Sequence, residues 1–264
     1  MGKTLIITEK PSVAKDIAKV LGKFTNRKEY LESEKYYITW AIGHLITLAE
    51  PEDYEKRFKV WRLSLLPILP DKFFLKPIAK NEKRIKIIKD LLKSDDVEEV
   101  INGCDAGREG ELIFRYIYEF TESQKPFKRL WLSSMTTAAI RQSFANLIPG
   151  ERMELLAEAA KCRSESDWLV GINGTRVFTA RFKILLSVGR VQTPTLAILV
   201  QREKEIREFK PTPYWEIFAV FSSPQGTYVG KWIDGEDRVY DQQQALQIEQ
   251  NVQGKKGKVI EFSN

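Results

Sequence analysis

Two segments of the sequence pass from an apolar run straight into a helical pattern, and this feature constrains the fold most strongly. The first is TLIITEKPSVAKDIAKVLG at residues 4–22, and the second is VEEVINGCDAGREGELIFRYIYEF at residues 97–120. The apolar runs predict buried strands, while Pro11 and Gly22 mark the start and the end of the first helix. Each segment is therefore a strand-to-helix unit.

Strand and helix patterns continue to alternate up to about residue 150. Residues 36–42 and 128–132 are further strand candidates, and a helix at 136–147 ends before Pro149. The region between the second and third strands is interrupted by prolines, and we expect it to be a loop: Pro51, Pro67, Pro70 and Pro77. This alternation predicts an α/β domain with a largely parallel sheet over residues 1–150.

After residue 150 the pattern changes twice. Residues 151–212 are helical, with a second helix entered at Thr193-Pro194, and residues 213–264 contain short β segments and a helix at 243–252. A last strand candidate, KVIEF at 258–262, lies close to the end of the sequence. The length predicts two compact units, and because this strand has only just begun at Asn264 we expect the sequence to end within a domain.

Composition excludes several classes of protein. No apolar run reaches the ~18 residues of a membrane span, and the first residues lack a signal-peptide pattern, so we expect a cytoplasmic protein. Cys104 and Cys162 give no disulfide ladder or paired metal spacing, and one histidine, His44, excludes a histidine zinc site. The sequence Gly2-Lys3-Thr4 precedes the first strand and lacks an upstream glycine loop, which excludes a P-loop.

The net charge of +6 is concentrated in two regions. Residues 56–93 contain twelve Lys or Arg against three acids, and residues 168–202 contain no acid. Aromatic residues lie among the first set of cations, and this mixture is typical of single-stranded nucleic acid binding: Phe58, Trp61, Phe73 and Phe74. The alternative is a solvated basic surface beside core aromatics, which we favour for residues 81–92 because their apolar residues follow helical spacing.

Carboxylates follow two of the predicted strands. Glu9 follows the first and Asp105 the third, and the carboxyl ends of parallel strands share one crevice. Glu109 and Glu111 come within one turn of Asp105, beside glycines that permit close approach. Such oxygen-only groups suit Mg²⁺. For Glu111, an equally good interpretation is that an acid in a first helical turn complements the helix dipole.

Five motifs together resemble those of the type IA DNA topoisomerases, most closely the bacterial topoisomerase III branch. In order they are TEKPSVAKDIAKVLG, IGHL, CDAGREGELIFR, SDWLVGINGTR and SVGRVQTPTLAILVQREKEI. The resemblance implies an α/β toprim (Rossmann-like) domain at 1–150, a mostly helical domain binding single-stranded DNA at 151–212, and the start of a β-rich arch domain at 213–264.

The resemblance also implies a metal site. Glu9 matches a glutamate implicated in acid/base work and metal binding, Lys10 a lysine beside the scissile phosphate, and Asp105 a metal-binding aspartate. Where many members have Asp-x-Asp, this chain has Asp105-Ala106-Gly107, so one carboxylate is missing. Glu109 then becomes the remaining carboxylate partner, counted with Glu9 and Lys10 as catalytic and with Glu9 and Asp105 as metal-binding. We therefore expect one weakly held Mg²⁺ at Glu9 and Asp105, with Glu109 near, whereas Glu111 points roughly 200° away around the helix.

The DNA-binding residues implied by the resemblance agree with the charge map. The segment SVGRVQ is expected to lie against the single strand, with Arg190 and backbone N–H groups reaching phosphates: Ser187, Val188, Gly189, Arg190, Val191 and Gln192. Trp168 and Arg176 match nearby contact positions, and Arg163 and Asp167 fall near the same helical face. Trp61, before an LP motif, is expected to stack on a base; the alternative of a core tryptophan stays open.

The implied activity is the breaking and resealing of one DNA strand through a 5′-phosphotyrosine, with Mg²⁺ and without ATP, on single-stranded, negatively supercoiled or catenated DNA. The implied enzyme is a monomer located at the nucleoid. None of the nine tyrosines precedes Pro-Arg, so we expect the nucleophile to lie outside this chain and this piece not to cleave DNA. Two alternatives remain: a stand-alone single-stranded-DNA-binding module, and a toprim nuclease or primase.

Overall fold

The computed structural model describes residues 2–233, 235 and 237–261. They form two compact units, one up to Thr195 and one from Leu196 onward. None of the helices in these ranges has the length and apolarity needed to cross a membrane.

A seven-stranded sheet organises the first unit. Its order is β2-β3-β4-β1-β7-β8-β9, and the four central strands run parallel: β4 (Tyr36–Trp40), β1 (Lys3–Thr8), β7 (Val97–Gly103) and β8 (Phe127–Arg129). The outer strands are short and antiparallel to their neighbours: β2 (Thr25–Asn26), β3 (Leu31–Glu32) and β9 (Ile148–Pro149). The predicted α/β fold with a largely parallel sheet is confirmed.

Helices cover both faces of this sheet because its central strands are apolar on both sides. Ile6 of β1 packs in a cluster with α1 (Pro11–Leu21) and α5 (Thr137–Ala145). Leu5 and Ile7 face the opposite cluster, which contains α3 (Glu82–Lys93) and α4 (Arg108–Phe120). Full burial of a large aliphatic side chain stabilises the fold by about 1.5–3 kcal/mol, so these two layers fix the strand ends that carry the candidate site.

The region between β4 and α3 is more ordered than a proline-punctuated loop. Its strands β5 (Ile46–Leu48) and β6 (Leu75–Pro77) pair antiparallel, and a short helix α2 (Pro51–Tyr54) is closed by a capping box. The helix α3 buries its apolar stripe, which confirms the simpler interpretation of residues 81–92. Two long helices follow, α6 (Glu154–Phe182) and α7 (Gln192–Glu208).

The second unit contains a hairpin and a helix. Strands β10 (Phe218–Ser223) and β11 (Gly226–Lys231) pair antiparallel, and α8 (Gln242–Val252) begins at Asp241, whose side chain caps it. The hairpin strand begins later than the apolar pattern suggests, since Trp215 only bridges to Val239. The strand expected at KVIEF is absent from residues 258–261, and Phe262 lies outside the described residues.

Candidate functional site

The carboxyl ends of β1 and β7 bring three charged side chains together. Thr8 and Gly103 are paired at the ends of these strands, so the residues that follow leave the sheet side by side. Lys10 Nζ donates a hydrogen bond to Asp105 Oδ2 at 2.6 Å and lies 4.0 Å from Glu9 Oε1. The hydrogen bond to Asp105 raises the pKa of Lys10 above its usual value. Two acids therefore converge on one cation.

A cleft of about 560 Å³ opens beside this group. Lys10 and Asp105 line it from the strand ends, and the segment after β8 forms the opposite part: Trp131, Leu132, Ser133, Ser134 and Met135. Clefts of roughly 300–1,000 Å³ hold ligands the size of a nucleotide. The charged group is thus open to a phosphate and its neighbouring sugar or base.

The two carboxylates around Lys10, Asp105 in the cleft wall and Glu9 beside it, fit a hard divalent cation held loosely. Glu9 and Asp105 offer only carboxylate oxygens, and their approach to the same ammonium demonstrates that both can face one positive charge. Mg²⁺ is commonly bound by one or two carboxylates, with water and phosphate completing its coordination. Within the described ranges, no three His, Cys, Asp or Glu side chains form a ready-made metal cluster.

Glu109 lies in a different, smaller cleft of about 130 Å³. Its Oε1 is 3.9 Å from His44 Nε2, and Arg163 and Asp167 line the same space. The side chain of Glu109 is 71% exposed. The structure therefore groups Glu109 with His44 and the first residues of the expected DNA surface, and leaves Glu9 and Asp105 as the pair around Lys10.

Glu111 occupies the opposite face of the first turn of α4 and is fully buried. Its carboxylate accepts hydrogen bonds from Asn102 Nδ2 and Arg115 Nε, both at 2.9 Å, and lies 3.2 Å from Arg129 Nε. An uncompensated buried carboxylate is costly, so these partners are what allow Glu111 to remain inside. The expectation that Glu111 points away from Glu109 agrees with this geometry.

The backbone around Asp105 depends on two glycines. Gly107 precedes α4 with φ at 154°, a conformation that side-chain-bearing residues rarely adopt. Gly110 lies so close to Asp105 that a Cβ atom there would be 2.1 Å from the Asp105 carbonyl oxygen. The glycine that replaces the second motif aspartate therefore has a backbone requirement of its own.

The SVGRVQ segment lies beside α6 at the start of α7. Arg190 Nη1 is 3.1 Å from Asp167 Oδ1, and Arg163 Nε is 3.8 Å from Asp167 Oδ2. The backbone N–H groups of Val188 and Gly189 already donate to the hydroxyls of threonines, Thr175 at 2.9 Å and Thr193 at 3.0 Å. The exposed groups available to a phosphate in this segment are thus centred on the Arg190 guanidinium.

Trp61 is exposed, whereas the two α6 residues expected near it have partners inside the protein. Arg176 is buried, donates to the Phe58 carbonyl, and holds its guanidinium carbon 5.1 Å from the centre of the Trp61 ring. Burial lowers the pKa of Arg176. Trp168 Nε1 donates to the Ala49 carbonyl at 2.9 Å. Arg176 and Trp168 therefore anchor the basic segment onto α6, and of these three residues Trp61 is the one with an exposed side chain.

Sequence reasoning did not single out Arg129, a fully buried arginine that contacts the Asp105 backbone. The sequence KRLWL at residues 128–132 indicates a buried arginine, because a cation inside an apolar strand must find buried acceptors. Arg115, four residues after Glu111, carries the same kind of signal at helical spacing.

Comparison with known proteins agrees with the fold. The Toprim domain family matches residues 4–135, and the DNA topoisomerase family matches residues 151–264. The chain is 44% identical over 262 residues to DNA topoisomerase 3 of Bacillus subtilis and 47% identical over 256 residues to that of Shouchella clausii. These matches include 99% and 96% of this chain but only 36% and 35% of the relatives.

A solved structure of a topoisomerase has a similar fold. Full-length topoisomerase I from Thermotoga maritima superposes with a TM-score of 0.61 at 25% identity, over 93% of this chain and 37% of that protein. The Toprim match includes the ends of both β1 and β7, and a Toprim domain implies a divalent metal site. With a Toprim domain followed by a topoisomerase segment, the chain belongs to the type IA DNA topoisomerase family.

Proposed function

We propose that this chain supplies the metal site and the single-strand grip of an Mg²⁺-dependent, ATP-independent reaction that breaks and reseals one DNA strand. The convergence of Glu9 and Asp105 on the Lys10 ammonium carries the proposal, because two carboxylates suited to a divalent cation and a cation suited to a phosphate then lie together, and Lys10 and Asp105 line an open cleft. The chain spans about a third of the relatives it matches, so the complete reaction is proposed for the longer protein.

Three residues have distinct roles in this proposal. Glu9 and Asp105 would hold Mg²⁺, which supplies charge neutralisation at the scissile phosphate. Lys10 exchanges its hydrogen bond with Asp105 for one to a non-bridging phosphate oxygen. The resemblance also gives Glu9 the acid/base role at the departing 3′ oxygen, and in this proposal the Glu9 carboxylate, 4.0 Å from Lys10 Nζ, would serve that oxygen.

The attacking group in this family is a tyrosine hydroxyl. It forms a bond to the 5′ phosphate while the bond between that phosphorus and the 3′ oxygen breaks, and resealing reverses both changes. In the described part of the chain, no tyrosine lines the cleft beside Lys10. We therefore propose that residues 1–264 bind the strand without forming the covalent bond themselves.

The strand grip, which we define as Trp61, Arg163 and the segment 187–192, holds the DNA in this proposal. Arg190 and Arg163 exchange their ion pairs with Asp167 for contacts with phosphates. The Trp61 ring stacks on a base. This combination favours single-stranded DNA, since stacking requires an unpaired base face. Negatively supercoiled and catenated DNA, which expose such strands, are the proposed physiological substrates of a monomeric enzyme at the bacterial nucleoid.

We also propose a division of the chain into three segments. Residues 1–150 form the toprim domain, residues 151–212 the first part of the helical DNA-binding domain, and residues 213–264 the beginning of an arch domain. The family matches at 4–135 and 151–264 support the first boundary, and the change from long helices to a β-hairpin supports the second.

A single assay tests the proposed function. The 264-residue chain is incubated with Mg²⁺ and end-labelled single-stranded or duplex DNA, and both binding anisotropy and denaturing gels are recorded. We expect preferential binding of the single strand with neither cleavage nor adduct. Equal binding of duplex DNA would overturn the proposed grip, cleavage without adduct would favour a nuclease, and an adduct would place a nucleophile within this chain.

Matched variants assign the binding to the proposed residues. Arg190→Ala should weaken single-strand binding, whereas Arg141→Ala removes an exposed arginine from α5 and should leave it unchanged. Asp105→Asn should weaken Mn²⁺ binding, followed by electron paramagnetic resonance, without changing DNA binding in the absence of metal.

A further inference from the structure

The buried charges behind the cleft form a continuous network that ends on the Asp105 backbone. Arg129 is completely inaccessible to solvent and reaches four carbonyl oxygens. Its Nη1 donates to Asn102, Cys104 and Leu130 at 2.8–3.0 Å, and its Nη2 donates to Asp105 at 2.7 Å. One guanidinium thus ties the end of β7 and the residues after it to β8.

Glu111 holds this guanidinium from the other side. Both side chains are fully buried, and Arg129 Nε lies 3.2 Å from Glu111 Oε2 without hydrogen-bond geometry. Asn102, the residue whose carbonyl Arg129 contacts, donates its side-chain amide to the same Oε2. Arg115 occupies the other carboxylate oxygen and connects it to Glu154. The charges are mutually compensated, so the network is stable only as a set.

A buried ion pair of this kind is rarely the most stable filling for a protein core, because apolar residues of similar volume often pack as well or better. What the arginine adds is a fixed direction for each of its hydrogen bonds. A guanidinium has five donors in a rigid planar fork, so it specifies where several carbonyls must lie, which neither a lysine nor an apolar side chain can do. The carbonyls that it specifies here are those leading to Asp105.

We propose that Arg129, oriented by Glu111, is a positioning residue that fixes the Asp105 backbone so that the Asp105 carboxylate faces Glu9 and Lys10. This inference rests on the proposed function, since it takes Asp105 as a metal ligand. Neither Arg129 nor Glu111 reaches the cleft surface, because both side chains are fully buried. Their effect passes through the Asp105 carbonyl, which Gly110 leaves room to approach.

Two variants separate the directional role from the charge. Glu111→Gln combined with Arg129→Met removes both fully buried charges together, and Arg115, which loses the Glu111 charge, keeps its ion pair with Glu154. Arg129→Lys keeps a cation beside Glu111 but loses the planar set of guanidinium donors. If the double variant does not fold, this single variant provides the test. Arg84→Met is the matched control: Arg84 is also buried and also donates to backbone carbonyls, those of Glu29 and Trp40.

The experiment uses the 264-residue chain and two readouts. Mn²⁺ alone is titrated by electron paramagnetic resonance, and hydrogen exchange is measured for the peptide covering residues 103–109. We expect both network variants to bind Mn²⁺ about 10-fold or more weakly, as outer-shell substitutions do. Exchange at 103–109 should be at least about 10-fold faster, while exchange in β4 stays unchanged. Arg84→Met should show neither effect.

The outcomes distinguish this inference from the proposed function. Wild-type chain that binds no Mn²⁺, or binds it equally in Asp105→Asn, would refute the metal site itself. If the wild-type chain binds Mn²⁺ and Arg129→Lys matches it in both Mn²⁺ affinity and hydrogen exchange, the positioning role is overturned, because a buried cation alone would then suffice. Equal loss of Mn²⁺ binding in Arg84→Met would also overturn it, since the effect would follow general destabilisation.

Discussion

Replacing Gly110 with alanine tests how closely the first turn of α4 is held against the Asp105 backbone. The added Cβ would lie 2.1 Å from the Asp105 carbonyl oxygen, whereas real Cβ contacts are essentially never below 3.0 Å. One of the two segments must therefore move by at least 0.9 Å, the difference between these distances. Arg129 donates to the same carbonyl at 2.7 Å, so the movement disturbs that hydrogen bond as well.

Two opposing effects determine the stability of this variant. Alanine is favoured over glycine inside a helix by about 1 kcal/mol. Forcing a methyl group into a packed site costs about 1–3 kcal/mol. We therefore expect Gly110→Ala to lower the free energy of unfolding by up to about 2 kcal/mol, measured by urea denaturation. We expect Mn²⁺ binding to weaken about 10- to 100-fold, because Asp105 no longer faces Glu9 as before.

Gly171→Ala provides the control, since it makes the same substitution in α6. A Cβ at Gly171 would lie 3.7 Å from the Val188 carbonyl, an ordinary contact. This variant should gain up to about 1 kcal/mol of stability and bind Mn²⁺ as wild type does. If Gly110→Ala behaves like Gly171→Ala in both measurements, the close apposition of α4 and Asp105 has no energetic or functional weight and the reasoning fails.

Three further predictions concern other parts of the molecule. Trp61→Ala should cost about 1–3 kcal/mol of single-strand binding free energy by fluorescence anisotropy, and an unchanged affinity would refute base stacking there. Arg190→Ala should weaken binding to all sequences and reduce the slope of log affinity against log salt by about 1; an unchanged slope would argue against a phosphate contact. Burial raises the pKa of the Cys104 thiol, which keeps it protonated, so iodoacetamide at pH 8 should alkylate exposed Cys162 and spare Cys104 until unfolding; equal modification of the native chain would contradict this.

The sequence predicts the fold well where elements are long and periodic. The strands β1 and β7 and the helices α1 and α4 follow directly from apolar runs and cap residues. The missed elements are two to four residues long: the outer strands β2, β3 and β9, the β5–β6 pair and the helix α2. So few residues carry no periodicity, and these strands form only because a neighbouring strand offers hydrogen bonds.

The candidate site, too, could be predicted from the sequence only in part. The position of Glu9 and Asp105 at one crevice follows from a topological rule that needs only strand direction. The separation of Glu109 from this pair depends on where α4 begins and which way its first turn faces, and the sequence does not specify that rotation. Arg129 is identified as part of the site only through its carbonyl acceptors, three of which belong to residues far from it in the chain, Asn102, Cys104 and Asp105.

Burial also changes how the positive charge of the chain should be counted. A count by segment treats every arginine as available to DNA, yet Arg84 and Arg176 are buried, and burial lowers the pKa of both. Arg84 lies inside the basic segment 56–93 but is neutralised by Glu29 and by backbone carbonyls. Only cations at the surface release counterions on binding DNA, so the salt dependence of binding should follow exposed residues such as Arg190. Substitution of Arg84 should instead appear in the free energy of unfolding, because its partners lie within the protein.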